Sequence, residues 1–289
     1  MKGIILAGGK GTRLYPMTLP VPKPLLPVYD KPLLYYSLSV LIKAGIRDVL
    51  VITPRGCKEI FSRLLFDGSH LGMNISYKEQ LVQRGIADAF IVGKEFIGDG
   101  NVCLLLGDNI FYSTEIGELL AEAQENLDGG VVFGYRVNDP RPFGVVEFDS
   151  TGKVISIEEK PKNPKSNYII PGLYFYDNTV IQKAESLQPS ARGELEITDI
   201  NLRYLNEERL NVITFKRGTL WMDAGTEDSL LESSLMVKVL QQGGRFFCCP
   251  EEEAYRQGWI DRNQLRALAD KIGSSRYGRY LAAVADDEE

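Results

Sequence analysis

Three glycines in four positions, Gly8, Gly9 and Gly11, are followed at once by Thr12 and Arg13. Glycine lets a backbone turn tightly and come close to a bound group, and a guanidinium beside a hydroxyl can fork onto phosphate oxygens. The apolar run 4–7 precedes them, so strand, glycine loop and cation stand in the order of a polyphosphate cradle. The glycines alone also suit a turn that merely connects two elements. Lys23, between Pro22 and Pro24 with their fixed φ, is either a second phosphate contact or a solvated lysine. Asp108 follows the apolar run 102–106 and one glycine, where a carboxylate can hold Mg2+, an ion with few protein ligands that leaves the rest to substrate phosphates. Asp223, in Trp221-Met222-Asp223-Ala224-Gly225-Thr226, is a second such ligand or part of the cap of the next helix. Glu158-Glu159-Lys160-Pro161 can set a sugar-binding glutamate beside a phosphate-binding lysine, or form an exposed ion pair of little worth. Arg192 opens Arg192-Gly193-Glu194-Leu195-Glu196 as a phosphate ligand or a loop charge.

Several chemistries are excluded. The dinucleotide fingerprint fails at Leu14, where its third glycine belongs, and no Gly-Lys-Ser/Thr exists for a Walker loop. A single histidine, His70, rules out a histidine-based triad or multi-histidine metal site. Cys57, Cys103, Cys248 and Cys249 lack metal-type spacing and are expected to be reduced thiols. A net charge of −6 argues against nucleic acid as partner. No apolar run approaches the ~20 residues of a membrane span, and the N-terminal run is too short for a signal peptide, so a cytoplasmic protein without a membrane partner is expected. The acidic run 286–289 reads as a solvated tail.

The elements that must position these residues follow from periodicity. Strands are expected over 47–53, 74–78, 101–106 and 130–135, alternating with helices over 57–66, 86–96 and 115–126. Such alternation implies an α/β fold with parallel pairing in a doubly wound sheet, whose ligands sit beyond the carboxyl ends of the strands. From Gly144 the texture changes to closely spaced strands over 145–149, 154–158 and 168–176. A helix over 192–207, a strand over 211–215, a long helix over 227–241 and helical sequence after Pro250 complete the chain. We expect residues 1–245 to form one unit, its first half nucleotide-binding and its second half facing the other substrate, and 246–289 to be a helical accessory segment.

Together the residues resemble the bacterial glucose-1-phosphate thymidylyltransferases, nucleotidyltransferases that make nucleotide sugars. The resemblance runs through Leu6-Ala7-Gly8-Gly9-Lys10-Gly11-Thr12-Arg13-Leu14, Gly107-Asp108-Asn109, Glu158-Glu159-Lys160-Pro161 and Cys249-Pro250-Glu251-Glu252, from Lys2 to about Ile260. It implies a Rossmann-like three-layer fold with a mixed sheet, and transfer of a nucleotidyl group from dTTP to glucose 1-phosphate with release of pyrophosphate. Carried over, Leu6, Gly8, Gly9, Gly11, Thr12, Arg13 and Lys23 hold the nucleotide, and Gln80 and Gly85 read the pyrimidine. Asp108 and Asp223 match the Mg2+ ligands, Asp108 also meeting the nucleotide. Gly144, Glu159 and Ile170 frame the hexose, while Lys160 and Arg192 meet its phosphate. The sugar phosphate oxygen is itself a nucleophile, so catalysis reduces to alignment and charge neutralisation by Arg13, Lys23, Lys160 and Mg2+.

The chain departs from this pattern at Lys10, Pro24, Asp88 and Pro171, where serine, glutamine, an amide and threonine are usual. The choice of UTP over dTTP, or of another hexose or amino-sugar 1-phosphate, therefore stays open, since one methyl on the base is worth only ~1–3 kcal/mol. A non-catalytic nucleotide-sugar sensor is the reading of another class; it would suit a chain lacking Arg13, Lys23 or Asp108, and all three are present. The resemblance also implies a homotetramer with an end-product site between subunits, near which Gly117 and Glu253 replace larger or apolar residues.

Overall fold

The computed structural model describes residues 1–9 and 11–287, so Lys10 and the last two residues of the acidic tail lie outside the described residues. The chain runs β1 (Lys2–Leu6), a hairpin of β2 (Pro27–Val28) and β3 (Lys31–Pro32), α1 (Leu33–Lys43), β4 (Asp48–Pro54), α2 (Lys58–Leu65) and β5 (Asn74–Gln80). Then come α3 (Asp88–Val92), α4 (Lys94–Ile97), β6 (Val102–Leu106), β7 (Asn109–Tyr112), α5 (Ile116–Glu125) and β8 (Gly130–Arg136). The second half continues with β9 (Gly144–Phe148), β10 (Val154–Glu159), β11 (Tyr168–Ile169), β12 (Leu173–Tyr176), α6 (Val180–Glu185) and α7 (Ile197–Asn206). It closes with β13 (Leu210–Thr214), β14 (Leu220–Asp223), α8 (Glu227–Leu240), α9 (Pro250–Arg256), α10 (Arg262–Ile272) and α11 (Arg276–Asp286).

Strands β5, β4, β1 and β6 lie side by side in parallel, with Ile5 between Val51 and Leu105. Beyond β6 the sheet turns antiparallel: β12 pairs with β6 and β8, and β11, β9 and β10 extend the far edge, while β13 joins β8 in parallel. The result is a ten-stranded mixed sheet. Successive strand residues point to opposite faces, and both faces are covered. Ile5, Val51, Cys103, Leu105 and Phe175 pack toward α1, α2 and α5, whereas Ile4, Ile52, Leu104 and Tyr176 pack toward α3, α6 and α7. This is the three-layer α/β architecture, with the strands of the first half buried on both sides as parallel sheets require.

Several expected elements are shorter than their periodicity suggests, each at a glycine or a bend. The helix expected over 86–96 breaks between α3 and α4 at Gly93, where a Cβ would lie 2.8 Å from Ile4 Cδ1 and 2.9 Å from the Ala89 carbonyl. The strand over 168–176 divides before Gly172, whose Cβ would meet Leu106 at 2.6 Å. The helix over 192–207 starts only at Ile197, leaving 192–196 as a loop. Periodicity predicts no helix over 33–43, because α1 is buried nearly all round and shows no polar face. Helix α9 packs on that helix, and α10 and α11 pack on α9 and on each other, Lys43 pairing with Glu253 at 2.6 Å and Tyr277 donating to Glu251 at 2.6 Å. Asp286 ends α11 and pairs with Arg266, so the acidic run begins as helix rather than as free tail. All four cysteines are free thiols. Among the described residues no helix is long and apolar enough to cross a membrane.

One buried side chain joins the ends of three strands. Asn109, 3% exposed, accepts the Gly172 N–H at 3.0 Å and the Trp221 indole N–H at 2.6 Å on its Oδ1. Its amide nitrogen donates to Asp108 Oδ1 at 2.8 Å. Replacing it by leucine strands two buried donors, each costing ~1–3 kcal/mol. Asn109→Leu is therefore expected to lose ~2–4 kcal/mol in urea denaturation; a loss below ~0.5 kcal/mol would mean that water replaces the amide.

Candidate active site

The carboxyl end of β1 opens into Ala7, Gly8 and Gly9, and the neighbouring β6 opens into Gly107 and Asp108. Gly107 donates to the Leu6 carbonyl at 3.0 Å, which keeps the two loops abreast. At Gly8 a side chain is sterically barred, since its Cβ would lie 2.4 Å from Gln80 Oε1 at the end of β5. Gly11 adopts φ 61, and the Thr18 hydroxyl donates to its carbonyl at 2.7 Å. Residues 12–14 then form one 3-10 turn anchored by the buried Leu14, and that turn presents Arg13. Gly11 and Thr12 belong to this support and do not line the cleft, whereas Leu6, Gly8, Gly9, Arg13, Lys23, Gln80, Gly85 and Asp108 do. They enclose about 910 Å³, ample for a nucleotide-sized ligand.

A second hollow of about 860 Å³ adjoins it, lined by Gly144, Glu159, Lys160, Ile170, Arg192 and Asp223 among others. Arg13, Ile86, Leu106, Asp108 and Glu194 border both, so the two are halves of one cleft. The halves are pinned together by backbone. Gly85, at φ 104, lies against Leu195, where a Cβ would come within 2.5 Å of a carbonyl oxygen. Leu195 donates to the Arg84 carbonyl at 2.5 Å. Only glycine fits this approach.

In the second half, Glu159 ends β10 opposite Gly144, and the N–H of the next residue, Lys160, donates to the Phe143 carbonyl at 3.0 Å. Lys160 holds φ 47, a left-handed conformation uncommon for a residue with a side chain. Its ammonium lies 3.7 Å from Glu159 and is half exposed. Glu159 accepts from the Thr198 hydroxyl at 2.5 Å and from Arg192 at 3.2 Å. Arg192 is further held by Glu196 at 2.7 Å, with Glu194 at 3.6 Å. Because α7 begins late, this whole acidic loop overhangs the cleft. Thr198, Glu196, Asn109 and Trp221 carry or brace the site without having been assigned a role from sequence; their signal was a place beside Asp108, Asp223 or Arg192.

Lys23, buried at the start of a 3-10 turn, donates to Asp108 Oδ2 at 2.7 Å. Burial pushes the Asp108 carboxyl up, but Lys23 and the hydrogen bonds from Lys23 and Asn109 outweigh it and hold the group below the ordinary carboxylate value. Asp223 enters on β14, whose register sets it opposite Asn109. It is pushed the other way, first by burial and then by repulsion from Asp108, which Lys23 and Arg13 offset only in part. Arg13 Nη2 would lie 3.2 Å and Asp223 Oδ1 2.3 Å from a Cβ on Gly225, so both groups converge on this turn. Two hard oxygen donors, one of which raises the charging cost of the other, are the donor set a divalent cation relieves. Among the described residues no cluster of three or more histidine, cysteine or acidic groups suits a metal. A two-carboxylate site matches an ion whose shell is completed by phosphates.

Comparison with known proteins identifies the family. The nucleotidyl transferase family profile matches residues 2–239. The chain is 54% identical to a glucose-1-phosphate thymidylyltransferase of Mycolicibacterium smegmatis over all of both chains. It is 52% identical to one of Neisseria gonorrhoeae, over 97% of this chain and 98% of that protein. Among solved structures, a Bacillus anthracis protein provisionally assigned as a glucose-1-phosphate thymidylyltransferase, in complex with a sucrose, superposes with a TM-score of 0.76 at 41% identity, covering 82% of this chain and 94% of that one. A UDP-glucose pyrophosphorylase complexed with UDP-glucose shares the fold at TM-score 0.72 and 23% identity, over 83% of this chain and 98% of that one. The chain belongs to the nucleotidyl transferase family, alongside its glucose-1-phosphate thymidylyltransferases.

Proposed function

We propose that this protein transfers the nucleotidyl group of dTTP to glucose 1-phosphate, giving dTDP-glucose and pyrophosphate. The observation that carries the reading is the single cleft whose glycine-loop half and Lys160–Arg192 half meet at Arg13 and Asp108. A nucleoside triphosphate lies along Leu6, Gly8, Gly9, Arg13 and Lys23 with its base at Gln80 and Gly85. The hexose sits among Gly144, Glu159 and Ile170, its phosphate drawn in by Lys160 and Arg192. A phosphate oxygen attacks the α-phosphorus in line and pyrophosphate leaves, so no general base is required. Arg13 and Lys23 take up the charge that develops on the triphosphate, the electrostatic term that dominates such transfers. Asp108 and Asp223 hold Mg2+, which when bound neutralises phosphate oxygens. Residues 1–245 form the catalytic unit and 246–289 an accessory segment; the free thiols suit the reducing cytoplasm.

The enzyme works as a homotetramer, in which one contact pairs α8 with its copy. Leu231, Leu235 and Val239 are exposed at 60%, 52% and 57% in a stripe of i, i+4 spacing. Antiparallel pairing about Leu235 sets Leu231 against Val239 and Glu232 against Lys238, both charges being exposed.

Three outcomes test these points. Pyrophosphate release with glucose 1-phosphate and Mg2+ is expected to favour dTTP, with UTP run alongside, and to fall at least ~100-fold in Asp108→Asn. Equal rates with both nucleotides would mean a relaxed pyrimidine nucleotidyltransferase, and no release with either would overturn the reading. Because Asp223 holds its proton to higher pH than an ordinary carboxylate, and proton and cation compete for it, the half-activating Mg2+ concentration should rise as the pH is lowered toward the carboxylate range. A flat dependence would remove Asp223 from the cation site. Leu235→Glu should lower the mass measured by light scattering after gel filtration; an unchanged tetramer would place the contact elsewhere.

A further inference from the structure

Asp88 stands where the family's pattern has an amide, and its surroundings give that difference a consequence. It is the first residue of α3 and is 1% exposed. One carboxylate oxygen accepts from Arg84 Nη2 at 2.6 Å, the other from Gln80 Nε2 at 2.8 Å. Gln80 is itself 4% exposed and lines the glycine-loop half of the cleft. A primary amide has two chemically opposite ends, and rotation by half a turn exchanges donor for acceptor. A carboxylate paired with a guanidinium has no proton to give, so it bonds only the NH2 end. The other end, Oε1, then points toward Gly8, 2.4 Å from where a Cβ there would stand. An asparagine or glutamine at 88 could serve either end of Gln80 and would leave the choice open.

We infer that Asp88 is a specificity-determining positioning residue: by locking the Gln80 amide it presents a fixed acceptor to the cleft and selects bases with an imide N–H. The inference rests on the proposed placement of a pyrimidine at Gln80. Uracil and thymine carry N3–H, which an acceptor welcomes. Cytosine presents a lone pair at N3, which a locked acceptor repels. Sites that hydrogen-bond a specific ligand group discriminate strongly because a mismatch leaves buried polar atoms unpaired. Arg84, half-exposed and paired to Asp88 at 2.6 Å, holds the carboxylate in place.

The test is kcat/KM of the full-length enzyme for dTTP, UTP and dCTP, with glucose 1-phosphate in excess, in wild type, Asp88→Asn and Asp88→Glu. Asp88→Ser, which likewise releases both ends of the amide, serves as a second releasing variant should Asp88→Asn not fold. Expected is a wild type that favours dTTP and UTP over dCTP. In Asp88→Asn or Asp88→Ser the dTTP-to-dCTP ratio should fall at least ~10-fold, and Asp88→Glu should restore part of it. A purely structural role would lower all three nucleotides together and leave the ratio unchanged, and that result overturns the inference while the proposed reaction stands. A wild type inactive with every pyrimidine nucleotide overturns both.

Discussion

The site depends on one buried amide whose oxygen has no spare lone pair. Asn109 uses its oxygen twice, toward the backbone before β12 and the indole of Trp221, and its nitrogen toward Asp108. Rotating it would face NH2 against two N–H donors, and in a buried setting such mismatches cost as much as the bonds are worth. Fixing Asn109 therefore fixes Asp108, the start of β12 and the strand that carries Asp223. The charges then follow from this placement: Asp108 is neutralised by Lys23, while Asp223 is left nearby and only partly compensated.

The cleft lies where two kinds of sheet meet. The parallel half ends in open loops at the carboxyl ends of β1, β5 and β6, the place where such sheets bind ligands. The antiparallel half contributes the ends of β9 and β10 and the loop before α7. Neither half encloses a ligand alone; the contact of Gly85 with Leu195 closes them around one volume. Although the chain is acidic overall at −6, Arg13, Lys23, Lys160 and Arg192 converge on this volume. Lys23, Lys160 and Arg192 each pair with a carboxylate, so an incoming phosphate must displace or share an existing partner. That arrangement favours ligands with several phosphate oxygens over simple anions, since a single contact would gain little.

Much of this was legible in the sequence. The glycine loop, the paired candidate carboxylates and the alternation of the first half each follow from short-range rules of backbone freedom and periodicity, and the folded chain contains them. The shortened α7 and the break at Gly93 were not legible, because their causes are contacts with residues distant in sequence, Ile4 against Gly93 being one. Helix α1 was hidden for the opposite reason: it is buried almost all round, and a helix without a polar face has no period to detect.

The residue types alone determined the class of chemistry. A glycine loop with an arginine, a lysine held between prolines, two aspartates after apolar strands and a single histidine leave phosphate handling by charge as the available means. Tertiary structure decided how those groups are shared. That Lys23 neutralises Asp108, that Asp223 carries the raised carboxyl, that Glu159 joins the local glutamates around Arg192 and that Asn109 holds Trp221 depend on pairings between chain segments up to 112 residues apart, the separation of Asn109 and Trp221. Local sequence sets which groups exist and which backbone turns are possible. Strand register and burial set which groups meet, and in a low-dielectric cleft that meeting fixes their charge and orientation.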